Sequence, residues 1–480
     1  MMIQFRRAAA CAAAVLAAVS VTLSGAAAPG QAPQTPVPAP SPADLISRPP
    51  TLQYTEKTLD NGLRVILHED HSTPIVHVEL WYHVGSKDEK AGRTGFAHLF
   101  EHMMFKGSKN VEPDQHPSWL TSIGGQTNAT TNEDATVYWQ TVPSQYLPLV
   151  LWLEADRMAS LRVDESIFRN EREVVKEERR MRIDNPPFGR LSEIIYQQVF
   201  TTHPYRFQTI GSMEDLQAAS IGDVRDFYRT YYVPNNATIV LAGDFDAAEA
   251  MAMIEKYLGR VPRGRDVPRD IPAEPVQRDA RRVTLEESWP LPAVVVAHRV
   301  PADGDPDAYP MHIAAKILSD GQSSRIYKRL VYDDRVAMAA FGDAKIIEDP
   351  NLFTAIAVVQ PGRAPEAATA ALIAELERMR REPVTAAELD RAKRQFARDY
   401  ILGRETVQQK AGVLAHAAVI HDDLGTADGE FELFMSVTAE DVQRVARTYF
   451  APETRNVITV MPRGTSGNAP RSAPGNGGGR

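Results

Sequence analysis

The sequence predicts an α+β protein of two homologous α/β-sandwich-type domains, produced by internal duplication and joined by a proline-rich linker. Three observations carry this. The chain has 480 residues, 43% hydrophobic and 24% charged, which is globular in composition and too long for one ordinary core. A pattern recurs at an offset of 218. Asp223-Val224, Arg229-Thr230-Tyr231-Tyr232 and Pro234 lead into Ile239-Val240-Leu241, and Asp441-Val442, Arg447-Thr448-Tyr449-Phe450 and Pro452 lead into Val457-Ile458. Each copy reads as a helix, a proline-marked turn and a buried strand. Strand and helix patterns are also intermixed along the first half, which favours α+β over a doubly wound parallel sheet.

The boundaries follow from composition. Arg6 and Arg7 precede an apolar stretch, Ala8 to Leu23, and the small residues Ser24 to Ala28. This is the layout of a secretory signal peptide over 1–28, and the stretch is short for a membrane span. The alternative is an uncleaved N-terminal anchor. The residues around the arginine pair do not support twin-arginine export. Cys11, the only cysteine, falls inside this segment, so the mature chain has none and forms no disulfides. A periplasmic or secreted location is expected. Residues 29–50 are rich in Pro and Ala and read as a flexible tether. The first domain then spans 51–261, the linker 262–278 carries Pro262, Pro268, Pro272 and Pro275, and the second domain spans 279–463. The Gly/Ser/Pro-rich tail, 464–480, reads as disordered. Loss of Arg6 and Arg7 takes the net charge from −9 to −11. With no long basic run, nucleic acid and anionic lipid are poor partners.

Within the first domain, Asp60-Asn61-Gly62 between two strand-like runs predicts a hairpin over Thr58 to Leu67. Ile75 to Val84 alternates as a strand. Helices are expected from about Gly95, from about Gln145 to Ser160, and from Asp164 to Arg182.

The first of these helices carries His98-Leu99-Phe100-Glu101-His102, an H-x-x-E-H pattern known among zinc-peptidase motifs. Histidines four residues apart leave a helix on one side, one turn apart, as two nitrogen ligands of one Zn²⁺ must. Glu101 falls on the same side and suits a base that activates water beside the metal. A catalytic zinc commonly takes a third protein ligand. In the helix from Asp164, the residues Ile167, Phe168, Val174, Val175 and Met181 define an apolar face, and Glu171 and Glu178 fall near its middle. A buried carboxylate without a partner costs several kcal/mol. Salt bridges to core arginines would satisfy the pair; with the histidine helix in the same domain, metal ligation explains it better.

At this point the chain resembles the pitrilysin/insulinase family of zinc metallopeptidases, and within it the processing-peptidase-like bacterial members. The anchors are His98 to His102 and Asn170-Glu171-Arg172-Glu173-Val174-Val175-Lys176-Glu177-Glu178, with Glu178 76 positions after His102. The resemblance implies a Zn²⁺-dependent endopeptidase acting on oligopeptides or unfolded polypeptides, with metal ligands His98, His102 and Glu178. Glu101 would be the general base, and Glu171 a supporting residue near the zinc that orients a ligand histidine. It also implies that Gly124 to Thr131, with Asn128, Ala129 and Thr130, forms an edge strand that holds substrate backbone by strand addition. Read alone, the same residues make a Gly/Asn/Thr-rich loop. Family members that act alone carry an Arg and a Tyr seven residues apart in the second domain. Here Val331 and Met338 occupy those places, and neither can donate to an oxyanion. Arg329 and Tyr332 could substitute only in a shifted register. The resemblance therefore implies a second family chain that supplies the pair, in a hetero-oligomer, or else a homo-oligomer. Two other readings stand beside this one. One is a catalytically weak or structural subunit of a peptidase-like complex; the other is a zinc hydrolase acting on something other than peptides.

Overall fold

The computed structural model describes residues 49–464; the leader, almost all of the tether, and the tail beyond Gly464 lie outside them. The hairpin forms as expected. Strand β1 (Thr55–Thr58) pairs antiparallel with β2 (Arg64–Glu69), and Gly62 takes the turn at φ +89°. With β3 (Ile75–Tyr82), β4 (Gln126–Thr131), β5 (Thr136–Pro143) and β6 (Ala237–Gly243) they make a six-stranded sheet of order β1-β2-β6-β3-β5-β4. The second sheet contains β7 (Arg281–Glu287), β8 (Ala293–Arg299), β9 (Ala337–Ala344), β10 (Leu352–Val359) and β11 (Asn456–Pro462), in the order β7-β11-β8-β10-β9. Apart from β1 the two topologies coincide. In each, one parallel pair (β2 with β6, β7 with β11) is followed by antiparallel strands only.

The repeated segments occupy equivalent places. Helix Ile221–Tyr231 begins at a capping box between Ser220 and Asp223, and helix Ala439–Tyr449 at one between Thr438 and Asp441. Each runs through a short proline turn into the central strand beside the parallel partner, β6 or β11. The reciprocal bonds between cap and third residue satisfy two orphan donors at each start. This is why the Ser/Thr-x-x-Asp spacing recurs with the repeat.

Both sheets are covered on both faces. Along β3, Val76, Val78, Leu80 and Tyr82 enter one core with Leu99, Phe100 and Val150, whereas Ile75 and Trp81 face the other way. The strand period of two separates these sets. On the second face an unexpected exchange occurs. Helix Val407–Val419, from the second half of the chain, lies on the first sheet, with Val407, Ala411, Leu414 and Ala415 packed against Ile66, Val240 and Ala242. Helix Leu191–Val199, from the first half, lies on the second sheet, with Ile194, Ile195 and Val199 against Val295, Ala297 and Ile458. The two helices start 216 residues apart, so they are counterparts in the duplication. The described residues accordingly pack as one unit. None of their helices is long and apolar enough to cross a membrane.

Candidate metal centre and active site

The histidine helix runs Phe96–Met103. Its apolar side, Phe96, Leu99, Phe100 and Met103, is buried in the first core. Gly95 precedes it at φ +88°, where a Cβ would stand 2.7 Å from the Ile210 carbonyl oxygen; only glycine serves at such a close, left-handed approach. The buried carboxylate of Glu89 accepts from Gly95 N and Ala97 N, both at 2.8 Å, and so satisfies donors that a helix start leaves open. Burial pushes the Glu89 carboxyl up to about 8.

The acidic helix spans Glu165–Arg179 and is capped by Asp164, whose side chain accepts from Ile167 N at 3.0 Å. Its buried stripe differs from the one expected. Phe168, Glu171, Val175 and Arg179 are buried, whereas Val174 and Met181 are exposed. Residues 180–184 form a wider π-turn, which takes Met181 off the expected apolar face. Glu171 is almost wholly buried, and Glu178 sits at the rim.

The two helices bring His98, His102 and Glu178 together, with one donor atom from each inside a 4.8 Å cluster. Glu178 Oε2 lies 3.3 Å from His102 Nε2 and 3.6 Å from His98 Nε2. These separations exceed a well-formed N–H···O bond. They match what two ligands show when each stands ~2.0–2.1 Å from one tetrahedral ion. The two-imidazole, one-carboxylate set therefore fits zinc by both donor chemistry and spacing.

Electrostatics at the cluster are uneven. Burial, reinforced by neighbouring His102, lowers the His98 imidazole to about 4. Burial also works against charge on His102, but Glu171 and Glu178 outweigh it and raise that imidazole to about 9. The facing His102 imidazole holds the Glu178 carboxyl below its ordinary range. Glu171 Oε2 lies 3.8 Å from His102 Nδ1, and Oε1 accepts from Asn170 at 3.0 Å and pairs with Lys106 at 3.4 Å. Glu101 accepts from the Thr131 hydroxyl at 2.6 Å; burial raises its carboxyl, against that bond. A partly desolvated carboxylate is the stronger base.

Thr131 ends β4, which pairs only with β5 and forms one edge of the first sheet among the described residues. Asn128, Ala129 and Thr130 thus lie on an edge strand beside the histidine helix, and the loop reading is set aside. Asn128 and Thr130 are exposed and Ala129 is buried. In the second half, Val331 is half-buried in a π-turn (Lys328–Asp333), and Met338 is exposed on β9, the counterpart edge strand. Arg329 is held by Asp334 and lies 3.7 Å from Glu375.

Sequence reasoning did not single out Glu89, Lys106, Thr131 or Arg182, which pairs with Glu178 Oε1. Thr131 and Lys106 reach Glu101 and Glu171 from places that only folding makes adjacent. Lys106 and Arg182 lie four residues beyond His102 and Glu178, and that spacing was the one signal available.

Residues 64–211 match the family described as Insulinase (Peptidase family M16), and residues 218–396 the one described as Peptidase M16 inactive domain. The zinc protease PqqE of Helicobacter pylori is 31% identical over 414 residues, covering 85% of this chain and 93% of that protein. The chain belongs to peptidase family M16. A solved protease structure from Helicobacter pylori agrees with this M16 chain at TM-score 0.82 and 31% identity, over 86% of this chain and 100% of that one. The first half of the periplasmic protease PqqL from Escherichia coli shares the fold, at TM-score 0.71 and 20% identity, over 85% and 92% of the two chains. All four motif residues, His98, Glu101, His102 and Glu178, fall inside the insulinase match and outside the match described as inactive.

Proposed function

We propose that this M16 chain is an exported, zinc-dependent endopeptidase that hydrolyses oligopeptides or unfolded polypeptides. The observation that carries the reading is the convergence of His98, His102 and Glu178, with the Glu101 carboxylate fixed beside them by Thr131. His98, His102 and Glu178 would hold the metal, which when bound supplies Lewis acidity to water and to the scissile carbonyl. Glu101 takes the proton from the attacking water and delivers it to the leaving amine. Glu171, backed by Lys106, keeps the His102 ring oriented. The free edge of β4, at Asn128, Ala129 and Thr130, holds extended peptide by backbone pairing. The leader-like residues 1–28 support a periplasmic or secreted location.

The donors for the tetrahedral oxyanion come from a second family chain. Val331 and Met338 offer none, and Arg329 is already engaged. A second reading, a catalytically weak or structural subunit, is favoured by the description of the 218–396 match as an inactive domain. The test is an assay of the purified mature chain, zinc-loaded and alone, on an unfolded polypeptide, with Glu101→Gln as control. The expected result is weak cleavage that the substitution abolishes. Robust cleavage would remove the need for a partner. No cleavage with or without companion chains would favour the structural subunit.

A further inference from the structure

A second cluster of metal-ligand chemistry lies in the other half of the molecule. Asp303, in the loop after β8, and His416 and His421, at and beyond the end of helix Val407–Val419, bring one donor atom each within a 4.8 Å group. Asp303 Oδ2 lies 3.3 Å from His416 Nε2 and 3.4 Å from His421 Nε2. Those values parallel the 3.3 and 3.6 Å of the His98–His102–Glu178 set, and again suit ligands each ~2.0–2.1 Å from a shared tetrahedral ion. Both separations exceed a well-formed hydrogen bond, although each is close enough for an ion pair when the imidazole is protonated. His421 Nε2 is buried without a hydrogen-bond partner, and its side chain is 6% exposed. Asp303 Oδ1 accepts from Gly304 N at 2.9 Å, which turns Oδ2 toward the imidazoles; an outer bond that fixes a ligand carboxylate in this way is usual around metals. His416 and His421 line a cavity of about 320 Å³ with Glu430 and Arg404. That cavity gives an ion access and leaves room for water as a fourth ligand.

We propose that Asp303, His416 and His421 form a second site for a divalent ion of the zinc class, with no part in peptide hydrolysis. The nitrogen-rich donor set favours zinc, with cobalt or nickel as substitutes, over magnesium or calcium. The ion ties the end of the exchanged helix, which lies on the first sheet, to the 300–307 segment of the second half. It thereby fastens the crossing that joins the two halves.

The test uses the full mature chain, stripped with chelator, reloaded with Zn²⁺ and desalted, with bound metal counted by mass spectrometry. Wild type should retain two ions per chain. The His416→Ala/His421→Ala variant should retain one, and so should His98→Ala/His102→Ala. The last variant isolates the second site whatever becomes of the first. Titrated with Co²⁺, it should bind one equivalent and show visible d–d bands, which His421→Gln in the same background removes while circular dichroism is unchanged. No Co²⁺ bound by His98→Ala/His102→Ala overturns the proposal, as does a metal count unaffected by substituting His416 and His421. A peptidase that proved inactive would not alter either readout.

Discussion

At the residue scale the site depends on which carboxylate does what. Glu101 and Glu178 both border the histidines, but Glu178 shares its Oε2 with both Nε2 atoms whereas Glu101 is tied to Thr131. Glu101→Gln should therefore leave the zinc count at the first site unchanged and lower kcat by ~10²–10⁴, the usual worth of a positioned acid–base group. Glu171→Gln should act differently. It removes a carboxylate that faces His102 Nδ1 and should weaken zinc binding ~10–100-fold, measured with a competing chelator. The metal-free cluster also carries a proton at neutral pH, because His102 is raised to about 9 while His98 is lowered to about 4. Zinc must displace that proton. Calorimetry in buffers of different ionisation enthalpy should show about one proton released at pH 7, and apparent affinity should climb until about pH 9. The sign for stability is opposite. A raised imidazole stabilises the metal-free fold fully below its ordinary value of ~6.5, and this is lost as pH rises through about 9.

At the element scale the informative contrast is between the histidine helix and β4. The helix was legible because its spacing is chemical: two histidines and a glutamate on one side, four large apolar residues on the other. Strand β4 was ambiguous because Gly, Asn and Thr carry little burial signal, and an edge strand needs little of it. Its pairing with β5 settles its conformation. Along an antiparallel edge, successive N–H groups point alternately to the neighbouring strand and outward. Asn128→Pro and Ala129→Pro should accordingly separate. The substitution at the inward donor should lower Tm, and the one at the outward donor should raise KM for peptide and leave Tm nearly unchanged. Equal behaviour of the two would argue against strand addition. The acidic helix shows the opposite kind of error. Glu171 lies on the buried side as expected, but Val174 and Met181 are exposed. Apolar residues on a helix do not all have to face the core.

At the scale of the whole molecule, the halves are not independent domains in series. Each sheet is closed by a helix from the other half, and buried Lys87 bridges Asp134 at 3.0 Å in the first half to Glu348 at 2.9 Å and Asp349 at 3.1 Å in the second. Leu414, fully buried between the exchanged helix and the first sheet, tests the consequence. Leu414→Ala should cost about 2–5 kcal/mol. Denaturant unfolding should remain one transition, lowered as a whole, when followed by probes placed in each sheet. Two separating transitions would show that the halves fold alone.

What the sequence by itself determined was local and periodic: the hairpin at Asn61-Gly62, the capped helices of the repeat, the shared helix side of His98 and His102, and the duplication that implied two like sheets. Each depends on residues within a turn or two of one another, or on a pattern copied whole. Tertiary structure alone decided which face each sheet turned to which helix. It also placed Thr131 against Glu101, and brought Asp303 to His416 and His421. Helices Leu191–Val199 and Val407–Val419 each carry an apolar face, and each lies on the sheet of the other half. An apolar stripe specifies burial without naming its partner, because the hydrophobic effect has no direction. Chain geometry makes that choice.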